Sequence, residues 1–366
     1  MPIFRPNEEC GCEPSQTGVP NRTLPVDGDE VGAEFLRLLS APMKAVVCKA
    51  FGSPETLVVE EMEAPTAGEG QLVIEVRASA VTFPDALMLE DKYQFHPTPP
   101  YIPGGEAAGV VAAVGDGVAG WSVGDRVVGG LGTTGGYATL LAIPAANARR
   151  LPDSVDFAVA AGLNYAYGTT LYALKHRANI QPGETLLVLG AGGALGVSAV
   201  ELGKLMGARV IAAASTEEKL DVCRERGADE TINYATENLK ERAKELTNGE
   251  GVDVVYDAVG GDKAEQALRA IGWEGRFLVI GFTGGIPSIP LNLTLLKGCQ
   301  IVGVFYGAMT ARQPELNAEI SDELIQLVAS GELRPHVSKR YPLEQAGEAL
   351  RSLMDRTAVG KVVITP

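Results

Sequence analysis

At 366 residues the chain is long enough for two domains with large cores, and it carries a formal net charge of −15. That acidic balance argues against a nucleic-acid backbone or an anionic membrane surface as partner, and no apolar run approaches the roughly 20 residues that span a bilayer. Five cysteines, at positions 10, 12, 48, 223 and 299, form no disulfide framework. The start of the chain lacks the apolar segment of an export signal, so a cytoplasmic protein is expected.

Residues 1–28, rich in Pro, Gly, Asn and Thr, read as a disordered and dispensable tail. Cys10 and Cys12 lie within it with no histidine or second cysteine pair nearby, which suits a free thiol pair better than a metal site. Over 29–39, Val31, Phe35, Leu38 and Leu39 share one helical face behind acidic residues, predicting a short helix that can dock on the body. From Met43 the pattern changes to short strands at 43–49, 57–63, 71–80, 106–114, 126–130 and 136–143, separated by Gly- and Pro-containing turns. Helical character returns at 156–163 and 168–177. Buried-strand candidates at 185–189, 209–214, 230–233, 252–257, 275–280 and 300–304 then alternate with helices at 197–206, 217–226, 236–247 and 263–271. That alternation predicts a doubly wound parallel sheet, an α/β fold. Two helices, at 316–330 and 343–355, precede a final strand at 360–364.

The stretch from Glu184 to Ser215 holds the chain's clearest chemistry. A strand bounded by Gly183 and Gly190 runs into Gly190-x-x-Gly193-x-x-Gly196, then a helix and a second buried strand. This is the order of a dinucleotide-binding unit, in which backbone N–H groups at a helix N-terminus approach a pyrophosphate. The stricter form, Ala191-x-Gly193-x-x-Gly196, has alanine where its first glycine usually sits. An NAD-binding unit places Asp or Glu at the end of the second strand. Here Ser215 and Thr216 offer hydroxyls and Lys219 a cation, which favours a 2′-phosphate and hence NADPH, provided Glu217 and Glu218 point away.

With these pieces in place, residues 43–366 resemble the medium-chain dehydrogenase/reductase superfamily, and within it the zinc-free NADPH:quinone oxidoreductase (zeta-crystallin-like) branch. The matching motifs include Val81-Thr-Phe-Pro-Asp85, Pro103-Gly-Gly-Glu-Ala-Ala-Gly109, Val123-Gly-Asp-Arg-Val127, Gly190–Gly196, Ile232-Asn-Tyr234 and Gly360-Lys-Val-Val363. The resemblance implies a GroES-like β-rich catalytic domain over 43–168 and 305–366, a Rossmann domain over 169–304, and an extension over 1–42. It implies a homodimer through the last strand of the nucleotide sheet. It also implies NADPH held by Thr169, the loop residues Gly190, Ala191, Gly192, Gly193, Ala194, Leu195 and Gly196, then Ser215, Lys219, Tyr234, Phe282, Phe305, Tyr306 and Arg356. Zinc-dependent relatives carry Cys and His at the positions of Thr82 and Gly105, and three scattered histidines cannot replace them. Hydride transfer to a quinone or enone is therefore expected without metal. Tyr93 and Thr82 are the candidate donors to the developing oxyanion. An enoyl-thioester reductase and a non-catalytic NADPH-binding protein remain as alternatives.

Overall fold

The structure, a computed structural model, describes residue 35 and residues 39–366. The tail expected over 1–28, and most of the helix expected over 29–39, lie outside the described residues. Phe35 and Leu39, one helical turn apart, are helical and half-buried. Both pack against a cluster that includes Met43, Ala45, Val73 and Leu140, as an amphipathic face docked on the body would.

β1 (Met43–Val47) and β2 (Val58–Met62) form an antiparallel ribbon. β3 (Gln71–Val81), β4 (Ala107–Val114), β5 (Arg126–Gly129), β6 (Leu140–Pro144) and β7 (Arg149–Arg150) belong to a seven-stranded sheet centred on β3, whose residues are almost all buried. Helix α1 (Phe83–Leu89) leaves the end of β3. The chain then lays down a second, six-stranded sheet, all parallel. Its strands are β8 (Thr185–Leu189), β9 (Arg209–Ala214), β10 (Glu230–Asn233), β11 (Val252–Asp257), β12 (Ile271–Val279) and β13 (Gln300–Gly303). The order β10-β9-β8-β11-β12-β13 reverses direction between β8 and β11, and ligands of doubly wound sheets bind at such a switch point. Helix α2 (Ala194–Leu205) follows β8 and helix α3 (Glu217–Glu225) follows β9. Finally β14 (Val337–Pro342) and β15 (Lys361–Thr365) return to the first sheet, β15 pairing antiparallel with β3. The last strand of the chain thus completes the sheet begun by its first hundred described residues.

Several expectations need correction. The pattern over 337–342 predicts no strand, yet β14 forms there. Its exposed Lys339 and Arg340 sit at a sheet edge, where only one side is paired. The helix expected over 156–163 stops at Ala160, because Gly162 turns the chain with φ of +70°. The following helical run starts early, at Leu163, and reaches Arg177 with wide π-type turns over Leu163–Gly168 and Tyr172–Arg177. The helix expected over 263–271 ends at Ala270, and β12 already begins at Ile271. The short helices Phe83–Leu89, Asn292–Lys297 and Tyr306–Arg312 carry no clear periodic signal.

Candidate active site

Buried β8 delivers the chain to Gly190, whose φ of +68° starts the turn. Gly193 then stands at the N-terminus of α2, whose first-turn N–H groups at Ala194 and Leu195 have no partner within the helix. At Gly196 a Cβ would meet the Gly190 carbonyl oxygen at 2.2 Å and the Ala191 Cα at 2.4 Å, so helix and turn touch backbone to backbone. At Gly193 the nearest atom to such a Cβ would be 3.6 Å away, so that face of the loop is open. Ala191 is fully buried and its N–H donates to the Ala213 carbonyl at 3.0 Å. A methyl group pointing into the core explains why alanine suffices there. The loop is also tied to the C-terminal segment, since the Gly360 N–H donates to the Gly192 carbonyl at 2.7 Å.

At the end of β9 the side chains singled out by the sequence meet. The half-buried Ser215 hydrogen-bonds the Tyr234 hydroxyl, and the Tyr234 N–H donates to the Ala214 carbonyl at 3.0 Å. The Lys219 stem lies over Gly192, where a Cβ would approach its Cβ to 2.5 Å. Its ammonium donates to the Arg356 carbonyl at 2.6 Å, and the Arg356 guanidinium donates to the Thr283 carbonyl at 2.8 Å. Burial, more than the neighbouring Arg356, lowers the Lys219 pKa. Glu217 is turned aside, its carboxylate accepting from Asn233 at 2.9 Å and from Arg224 at 3.2 Å. Lys263, which the sequence reading passed over, holds its ammonium 5.8 Å from the centre of the Tyr234 ring.

A second group of candidate residues is built around Thr82, the N-cap of α1. Asp85 closes the capping box and is only 1% exposed. Its Oδ2 accepts from the Thr82 N–H at 2.8 Å, the Thr82 hydroxyl at 2.8 Å and the fully buried Tyr137 hydroxyl at 3.0 Å. Burial pushes the Asp85 carboxyl up to about 6 against these donors. Tyr93 shares a hydrogen bond with Tyr165, and burial raises the pKa of both phenols. The Tyr93 ring stands 5.8 Å from Phe95, which in turn stands 6.3 Å from Phe305. Nearby lie two buried side chains of opposite charge, Glu106 and Lys361, each held by backbone groups. The Glu106 carboxylate accepts from the Asn164 and Tyr165 N–H groups at 3.2 Å each, and the Lys361 ammonium donates to the Val159 carbonyl at 2.7 Å. Desolvation raises the first pKa and lowers the second. This pair pins β15 and the β4 entry to the helix that leads into the nucleotide-binding sheet.

Residues 68–153 match the family described as the alcohol dehydrogenase GroES-like domain, and residues 194–327 the family described as zinc-binding dehydrogenase. A quinone oxidoreductase-like protein 2 homolog of Nematostella vectensis is 41% identical over 325 residues, which cover 88% of each chain. This chain belongs to the quinone oxidoreductase family of medium-chain dehydrogenases/reductases. Quinone oxidoreductase-like protein 2 of Rattus norvegicus is 35% identical over 88% of this chain and 92% of its own. Among solved structures, Escherichia coli quinone oxidoreductase complexed with NADPH shares the fold with a TM-score of 0.80 and 31% identity, covering 88% of this chain and all of that one.

In this chain, Ser215, Lys219, Tyr234 and Arg356 converge beside the glycine loop, and Phe282 and Phe305 are 46% and 47% exposed. Tyr306 differs. It is buried, its hydroxyl donates to Asn317 at 2.8 Å, and its ring lies 6.1 Å from Tyr172. The adjacent aromatics part because a helix starts at Tyr306, so the two rings leave the chain on different sides. Thr169 spends its hydroxyl proton on the Tyr165 carbonyl at 2.6 Å. Asp85 was missed by the sequence reading, although the Thr82-x-x-Asp85 spacing is that of a helix start. Glu106 and Lys361 carried no signal as a pair, because they meet only when the C-terminal strand joins the first sheet.

Proposed function

We propose that the protein reduces a quinone or an α,β-unsaturated carbonyl with hydride from NADPH and without a metal. The observation that carries this reading is the meeting of Ser215, Lys219, Tyr234 and Arg356 at the open edge of the glycine loop. Hydroxyls and cations stand there where an NAD-preferring unit sets a carboxylate. The Escherichia coli relative is described with NADPH. Bound in this cradle, that cofactor supplies the hydride. The open face at Gly193 and the first turn of α2 suit its pyrophosphate, and Lys219, Ser215 and Arg356 suit its 2′-phosphate. Tyr93, Phe95 and Phe305 offer an apolar wall for a planar conjugated acceptor.

The donor set does not fit zinc, despite the description of the matching family. The Thr82 hydroxyl is engaged by Asp85. No side chain has room at Gly105, where a Cβ would stand 2.4 Å from the Gly132 carbonyl oxygen. Elemental analysis should therefore find no stoichiometric zinc, and a chelator should leave turnover unchanged. A loss of activity that zinc restores would sink this expectation.

The acceptor class is tested by NADPH consumption with 1,2-naphthoquinone, 2-cyclohexenone and crotonyl-CoA, and the first two should react. Turnover of crotonyl-CoA alone would move the protein to the enoyl-thioester reductases, and no turnover at all would leave it a binding protein.

We also propose that two copies pair along β13, one of the two edge strands of the parallel sheet. Beside it Trp273, Leu291, Leu295 and Leu296 are between 67% and 81% exposed, a patch suited to burial against a partner. The double variant Leu295→Asp, Ile301→Asp should run as a monomer by light scattering while the parent chain runs as a dimer. A monomeric parent, or a variant that still pairs, would refute the assignment.

A further inference from the structure

We propose that Asp85 is the proton source for the reduced acceptor and that it delivers its proton through the Thr82 hydroxyl. This rests on the reading of the cleft as a hydride-delivering reductase site. Asp85 is 1% exposed and Tyr137 fully buried, whereas Thr82 is half-buried. Of the side chains bonded to Asp85, that of Thr82 is the partly exposed one, so its hydroxyl is the link between the carboxyl and the surface. Three donors converge on a single carboxyl oxygen, at 2.8, 2.8 and 3.0 Å. That is the arrangement of an ionised carboxylate, which can only accept. In that state the one Thr82 hydroxyl proton points inward, and the hydroxyl presents only lone pairs outward. An oxyanion there finds no donor at Thr82.

Protonation reverses the polarity. A neutral Asp85 can donate its O–H to Thr82 Oγ, and the Thr82 proton is then free to point outward. Once the acceptor has gained its hydride, an electron pair and negative charge reside on its oxygen. The Thr82 Oγ–H bond breaks as the product O–H bond forms, and the Asp85 O–H bond breaks as Thr82 regains a proton. Asp85 is left as carboxylate and recovers a proton from solvent along the same path before the next turnover. No electrons move in this step, and the charge on the acceptor oxygen is exchanged for charge on Asp85.

The groups that face Asp85 tune it without replacing it. Burial raises its pKa more than Thr82, Tyr137 and the Gly104 N–H lower it, leaving it at about 6. The phenols of Tyr93, Tyr101, Tyr137 and Tyr165 all feel its charge and are themselves raised. Tyr93, the other candidate donor, accepts from the Tyr165 hydroxyl and keeps its own proton, but burial raises its pKa above the ordinary phenol value and leaves it the weaker acid.

The relay requires kcat to fall as pH rises through the Asp85 titration, and to show a solvent deuterium isotope effect. Asp85→Asn keeps a donor toward Thr82 but has no proton to give. On the acid side its kcat should drop about a hundredfold, with no pH dependence near about pH 6, while the NADPH dissociation constant from fluorescence titration stays within about twofold. Tyr137→Phe removes one bond to the carboxylate and should move the fall in kcat to higher pH, a shift that a purely structural role would not produce. It also decides the matter if Asp85→Asn does not fold. An enzyme active with a quinone or enone whose kcat is flat across this range overturns the relay alone. An enzyme inactive with every acceptor overturns the reductase reading as well.

Discussion

Lys219→Ala should raise the NADPH dissociation constant about ten- to more than a hundredfold and leave that for NADH almost unchanged. A charge-assisted hydrogen bond contributes about 1.5–3 kcal/mol, and each 1.4 kcal/mol is about tenfold in affinity. The geometry favours the upper part of that range. The Lys219 ammonium is held in place by the Arg356 carbonyl and retains two of its three donors for a ligand. Its stem is fixed against Gly192, so little rotamer entropy remains to be lost. The nearby Glu217 is already satisfied by Arg224 and Asn233 and does not compete for it. Adding Ser215→Asp should invert the preference, because a carboxylate accepts from ribose hydroxyls but repels a phosphate. The new carboxylate would also take over the Tyr234 hydroxyl that Ser215 now engages. The effect should shrink as salt rises, since this edge of the cleft is partly exposed. Equal loss for both cofactors would show that the residue supports the loop without reading the phosphate.

Gly196→Ala and Gly193→Ala should separate folding from cofactor binding. At Gly196 the added methyl meets backbone atoms at 2.2 and 2.4 Å, and backbone cannot rotate away as a side chain can. The start of α2 must shift, at a cost of about 1–3 kcal/mol, which corresponds to roughly 5 °C in melting temperature. NADPH affinity should fall by about a hundredfold or more, because the N–H groups at the helix start move with it. At Gly193 φ is −83° and the nearest atom to a new Cβ is 3.6 Å away. That variant should keep the parent melting temperature and still lose affinity, since its methyl occupies the open face of the loop. Thermal unfolding and fluorescence titration of the two variants check this. Normal NADPH binding by Gly193→Ala would show that the pyrophosphate does not approach that face.

The parallel sheet was legible because its strands are buried on both faces and read as continuous apolar runs between glycine turns, as in Leu186–Leu189 and Val254–Tyr256. The meeting of side chains at the proposed cofactor edge was legible for a related reason. Ser215, Lys219 and Tyr234 lie within one turn of strand ends whose order the glycine motif fixes. β14 was not legible, because an edge strand as polar as Ser338-Lys339-Arg340 obeys no buried period. Other features are contacts between distant segments that only the closed fold creates. Tyr137 reaches Asp85 from the loop before β6, and Lys361 reaches Glu106 from the far end of the chain. The Phe305-Tyr306 pair shows a further limit. Two adjacent aromatics look alike in sequence, yet a helix start between them leaves one ring exposed and buries the other.

The central claim is metal-free hydride transfer from NADPH, and kinetics with stereospecifically deuterated cofactor test it most directly. Chelator-treated protein would be given NADPH carrying deuterium on one or the other face of the nicotinamide C4, with 1,2-naphthoquinone and 2-cyclohexenone as acceptors. The account predicts NADPH oxidation with a quinone or enone acceptor, slowed by deuterium on one face only and unchanged by added zinc. Oxidation that appears only when zinc is returned, or no oxidation with either acceptor, would contradict it.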